Sequence, residues 1–145
     1  MEVFPVLISI SSTAHRDDMP EDETLSLIVS GQMELDETGV VIRYEEAVDE
    51  NTPPQQVTVT VRDESVSMER SGEYSTSMVF RMGCRFEGLY QTPMGDMDLA
   101  LFCTRLDYDL GDDGGDVFLS YQLDLNGTFA AVHEMEMRLI RQSDG

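Results

Sequence analysis

There is no lysine anywhere in this sequence: all nine basic residues are arginine. That absence removes Schiff-base chemistry, a phosphate-loop lysine and amine nucleophiles together, because each needs a primary amine. Histidine occurs twice, at His15 and His133, and no Gly-x-Ser-x-Gly elbow accompanies either. Triad catalysis and zinc catalysis therefore have no foothold. Only two cysteines are present, Cys84 and Cys103. They provide no disulfide framework and fit a reducing compartment, and each sits in a strand-like run where a buried, inert thiol is expected. No basic segment precedes the apolar opening "MEVFPVLISISSTA", whose one early charge is Glu2. Export signals start with basic residues, and no run reaches the ~18 apolar residues needed to cross a bilayer, so the expected location is cytoplasmic.

What is abundant is acid. Asp and Glu number 29 against nine arginines, a formal charge of −20 over 145 residues. Such a field repels phosphate backbones and anionic lipid, which sets aside nucleic acid and membrane as partners. A chain of this length with 41% apolar residues is enough for one core, and residues 1–145 read as a single domain.

Nearly every segment repeats with a period of two, the rhythm of a half-buried strand. In "QVTVTVRD", Val57, Val59 and Val61 share one face while Thr58, Thr60 and Arg62 share the other. "SVSMERSG" groups Val66, Met68 and Arg70; "STSMVFRMG" groups Thr76, Met78, Phe80 and Met82; "CRFEGLY" groups Cys84, Phe86, Gly88 and Tyr90. Near the C-terminus, Phe129, Ala131, His133, Met135, Met137 and Leu139 fall on one side. Helix formers are common in that last segment, yet its strict alternation, preceded by Asn126-Gly127, decides for a strand. Turn residues at Asp36 to Gly39, Asp63-Glu64, Pro93 to Gly95, Gly111 to Gly115 and Asn126-Gly127 separate the runs. The expectation is all-β: about eight to ten antiparallel strands in an up-and-down meander, closed into a barrel because closure satisfies the edge strands. A barrel of that size either fills its interior with side chains or holds one small ligand.

The blocks "GVVIRYEE", "RSG" at Arg70 to Gly72, "MVFRMG" at Met78 to Gly83, "YQTPMG" at Tyr90 to Gly95, "CT" at Cys103-Thr104 and "LSYQLDLNG" at Leu119 to Gly127 follow one another at a familiar spacing. In them the chain resembles the YwiB-like β-barrel proteins of bacteria, a domain family of unknown function. The resemblance covers nearly the whole chain and implies a calycin-like barrel, similar in shape to lipocalins. It brings no catalytic residues to carry over.

Arg70 follows Val66 and Met68 on an apolar face, where a guanidinium must either reach the rim or meet an anion. His133 stands between Ala131 and Met135 as either a hydrogen-bonded core residue or an acid–base group. The bend "YQTPMGD" reads as architecture first and rim second, with Tyr90 directed inward. Five methionines, Met68, Met78, Met82, Met135 and Met137, fall on expected inward faces, where thioethers fill irregular space or adapt to apolar ligands. The acidic stretch Asp107 to Asp116 invites calcium, but Gly111 stands where an EF-hand loop needs a ligand, and a solvated hairpin tip is the simpler reading.

The residues call for no cofactor, no metal site and no catalytic set. The leading reading is a non-enzymatic module holding a small apolar or amphipathic metabolite, lined by Tyr44, Met78, Phe80, Tyr90 and Tyr121, with Arg70 or His133 orienting a polar head. A solid barrel whose acidic surface docks a basic partner is the second reading, and a small enzyme using His133 the third. A homodimer stays open.

Overall fold

The computed structural model describes residues 1–16, 18, 21–47 and 50–143, and every regular element among them is a β-strand. The ten strands are β1 Glu2–His15, β2 Glu23–Asp36, β3 Gly39–Glu46, β4 Gln55–Arg62, β5 Ser65–Ser71, β6 Ser75–Phe80, β7 Arg85–Thr92, β8 Gly95–Gly111, β9 Gly114–Leu125 and β10 Thr128–Arg141. Each pairs antiparallel with its neighbour in sequence, and β1 pairs with both β2 and β10, so the sheet closes into a barrel. The closing ladder runs from Val6 opposite Arg141 to His15 opposite Val132. Side chains reinforce it: Arg141 reaches Glu2 at 3.3 Å and lies 4.2 Å over the Phe4 ring.

Local chemistry explains where the strands turn. Asn126 and Gly127 have φ of 51° and 79°, the pair of positive values that a two-residue hairpin turn requires. Asp36 Oδ1 accepts from the Thr38 and Gly39 backbone N–H groups at 2.7 and 3.0 Å, which fixes the β2–β3 turn. These carboxylate contacts, led by the Thr38 hydroxyl, also hold the Asp36 pKa below its ordinary value. At the β7–β8 turn, Thr92 Oγ1 donates to the Gly95 carbonyl at 2.7 Å and accepts from Met94 N–H at 3.2 Å, while Gly95 takes a φ of 126°.

Alternation then sorts the side chains. Phe4, Val6, Ile8, Met33, Ile42, Val59, Val61, Val66, Met137 and Leu139 are buried inside. Most lie toward the end of the barrel that carries the β2–β3, β4–β5 and β8–β9 turns, and they pack that end solid. Toward the opposite end, where the β5–β6, β7–β8 and β9–β10 turns gather, the inward residues become polar or partly exposed. The barrel is thus plugged at one end and open toward the other.

Three sequence expectations change here. Met82 is 61% exposed rather than inward, because β6 stops at Phe80 and the chain turns through Arg81 to Cys84 with Gly83 at a φ of 75°. The same turn leaves Cys84 exposed, whereas Cys103, opposite it, is buried. Burial pushes the Cys103 thiol pKa up, the inert behaviour expected of a core cysteine. Phe129 lies on the outer face opposite Asp124, since a bulge between Phe129 and Ala131 inserts one residue and reverses the alternation.

Candidate functional site

Two adjoining cavities occupy the open end. The larger encloses about 640 Å3 and is lined by residues from β1 and from β5 through β10, among them Arg70, Thr76, Met78, Tyr90, Leu99, Tyr121, Leu123, Leu125 and His133. The smaller, about 210 Å3, is lined by Leu25, Leu27, Tyr44, Glu46, Met68, Phe80 and Met135, among others. Ser12, Arg70 and Tyr121 belong to both walls and mark where the two spaces meet.

All seven residues singled out in the sequence face this divided space. Arg70, Met78, Tyr90, Tyr121 and His133 line the larger part; Tyr44 and Phe80 line the smaller, which Arg70 and Tyr121 also border. Period-two alternation brings them together: β4 lies between β3 and β5, so Val57 stands opposite both Tyr44 and Arg70. Likewise His133 on β10 is the register partner of Tyr121 on β9. Their rings stack nearly parallel, 5.3 Å between centroids and 8° between planes. Phe80 also packs against Tyr121, its ring tilted 58° and 4.8 Å away between centroids.

Charge is placed sparingly. Arg70 is three-quarters buried, its side chain 25% exposed, and Glu46 Oε2 approaches its Nε at 3.7 Å. That is an ion pair without a close hydrogen bond. Arg70 thus borders both cavities at the open end and shares its charge with Glu46. Burial raises the Tyr44 phenol to about 12, partly offset by the Arg70 charge. Tyr121 is pushed up for the same reason, again against the pull of Arg70. Both phenols therefore remain neutral hydrogen-bonding groups at physiological pH. Burial, helped by the nearby Arg16 cation, lowers the His133 pKa, so its imidazole is neutral near pH 7. The charge that bears on His133 is a cation rather than the carboxylate a general base would want for orientation.

The bend at Pro93 serves as both hinge and rim, since Thr92, Met94, Gly95 and Asp96 line the mouth of the larger cavity. Several residues toward the open end escaped the sequence reading. Glu46 was given no role in the sequence, yet alternation puts it on the same face as Tyr44. Gln55 is 2% exposed beneath the β5–β6 turn, where its Oε1 accepts from Tyr74 N–H at 2.9 Å. Thr76, on the face already assigned to Met78 and Phe80, is 6% exposed and lines the larger cavity. Among the described residues, no cluster of three or more His, Cys, Asp or Glu is placed to hold a metal ion. The acids of the Asp107 to Asp116 stretch are instead spread along exposed positions of β8, the turn and β9.

Comparison with other proteins follows the same lines. No curated protein matches the chain. Among solved structures, the crystal structure of the ywiB protein from Bacillus subtilis superposes with a TM-score of 0.85 and 18% identity, covering 97% of this chain and 94% of that one. At that identity the likeness speaks for a shared fold. The family model described as "Domain of unknown function (DUF1934)" matches residues 8–137, which spans most of β1 through most of β10, and the chain belongs to that family.

Proposed function

We propose that this protein is a non-enzymatic binding module that holds a small apolar or amphipathic metabolite inside the barrel. The observation that carries this reading is the cavity of about 640 Å3, within the usual ~300–1,000 Å3 range of ligand pockets. Its walls are largely thioether, aliphatic and aromatic, interrupted by polar groups that include Arg16, Arg70, Thr76, Asp96, Tyr121 and His133. Flexible Met78 and Met97 allow the space to adapt to ligands of differing shape. The neutral imidazole and phenols offer hydrogen bonds without demanding a charged ligand.

Native mass spectrometry of gently purified protein is the first test. A reproducible added mass, lost on organic extraction and restored by adding the extract, is the expected outcome. Failure to find any, together with no displacement of a fluorescent apolar probe by short-chain amphiphiles, overturns the proposal.

A second reading is supported by the exposed acids Asp107, Asp109, Asp112, Asp113 and Asp116 on the β8–β9 hairpin. In this reading the outer surface docks a basic partner. Capture of such a partner should weaken steeply with ionic strength.

A further inference from the structure

Thr76 carries a problem that the rest of the barrel does not solve. Its Oγ1 is the one buried side-chain oxygen or nitrogen among the described residues with no hydrogen-bond partner, and the residue is only 6% exposed. An unmet buried hydroxyl destabilises a fold, and its persistence asks for an explanation outside the protein's own contacts. Thr76 stands directly opposite Arg70 on β5 and opposite Tyr90 on β7, and all three line the larger cavity. Arg70 is under-served as well. Glu46 approaches its Nε at 3.7 Å, too far for a hydrogen bond, which leaves the guanidinium fork without a close acceptor among the described residues.

A hydroxyl in need of an acceptor beside a guanidinium whose only ion pair among the described residues is long describes one kind of guest. We infer that Arg70 and Thr76 form a head-group subsite for the carboxylate of an amphiphile whose apolar chain lies along Met78, Leu99, Leu123 and Leu125. The inference rests on the binding reading above and specifies its ligand. A planar carboxylate matches the guanidinium fork and still has a lone pair for the Thr76 hydroxyl. An ammonium head would be repelled by Arg70, and an alcohol head would leave the guanidinium unmet. A phosphate monoester brings a second negative charge next to Glu46 in a chain of net charge −20, which favours the singly charged head.

The test uses full-length protein and ten-carbon probes that differ only at the head: decanoate, decanol, decylamine and decyl phosphate, each titrated by calorimetry. Decanoate should bind at least about tenfold tighter than decanol, the gain expected of hydrogen bonds to a charged group. Thr76→Val should cost decanoate about tenfold, leave decanol unchanged and leave the unfolding midpoint no lower. Arg70→Met combined with Glu46→Gln, so that neither partner is orphaned, should reduce decanoate to the affinity of decanol. Equal binding of decanoate and decanol, or a preference left undiminished by Thr76→Val, overturns the subsite while the cavity reading stands. Tighter binding of decyl phosphate overturns the carboxylate assignment. If no probe binds, the cavity reading falls and takes the subsite with it. Should the double variant fail to fold, Thr76→Val alone decides the matter.

Discussion

His133 shows how a single cavity-lining side chain can make stability depend on pH. Burial and the Arg16 cation lower its pKa below that of an unfolded chain, so between the two values the unfolded state binds more protons. Stability from this residue is therefore present above about pH 6.5, the ordinary histidine value, and is lost as pH falls toward the lowered value. Urea unfolding midpoints should drop on acidification through this window, and the drop should be smaller in His133→Gln by the contribution of that one group. Tyr44 works in the opposite range. Its phenol is raised to about 12, so its contribution is complete below pH 10 and is lost as alkalinity approaches 12. An ultraviolet titration should show one late-ionising tyrosine fewer in Tyr44→Phe. The seven candidate residues were readable in the sequence because alternation alone places a side chain inside or outside. Thr76 and Glu46 were not singled out, because a hydroxyl in "STSMVF" or an acid in "YEE" looks the same whether water reaches it or not. Depth along the barrel, which decides that question, is a property of the closed sheet rather than of any one strand.

At the scale of elements, the described hairpin turns differ in how well their residues suit their backbone. Asn126-Gly127 is the strongest hairpin signal in the chain, and the two residues adopt the expected positive φ. Asp63 and Glu64 also sit at φ of 53° and 62°, where a side chain costs roughly 1–2 kcal/mol per residue. Ser65 Oγ donating to the Arg62 carbonyl at 2.8 Å, and Arg81 Nη2 donating to the Asp63 carbonyl at 3.1 Å, hold the turn in place. Replacing Asp63-Glu64 by Asn-Gly should therefore stabilise the protein by about 1 kcal/mol or more, read as a higher urea midpoint with an unchanged slope. Strand identity was legible because polar and apolar residues alternate cleanly. What was not legible is where alternation breaks. The bulge that turns Phe129 outward and the early end of β6 that exposes Met82 and Cys84 each depend on pairing with the neighbouring strand. A residue count within one segment cannot register that dependence.

For the molecule as a whole, the sum of charges and the closure of the sheet dominate. With a net charge of −20, self-repulsion opposes the compact state, so moderate salt should raise the melting temperature by screening it. The middle of the outer face of β1 and β2 carries no charge of its own. Leu7, Ser9 and Ser11 on one strand, and Ser26, Ile28, Ser30 and Gln32 on the other, are exposed and uncharged. If two copies associate through it, sedimentation velocity should show a dimer that strengthens with salt and is lost in Ile28→Glu. A barrel could be expected from the sequence because an open sheet of this many strands leaves its two edges unpaired. Which end stays hollow could not, since that follows from where large side chains stack across the lumen.

The seam between β1 and β10 joins segments from opposite ends of the sequence, with Glu2 facing Arg141. On the ribosome the first strand must therefore wait, its edge bare, until the tenth has emerged. A nascent chain stalled at the Asn126-Gly127 turn would expose two strand edges and an unroofed apolar trough. Such a chain is a natural client for chaperones, and the barrel cannot close until β10 has been made.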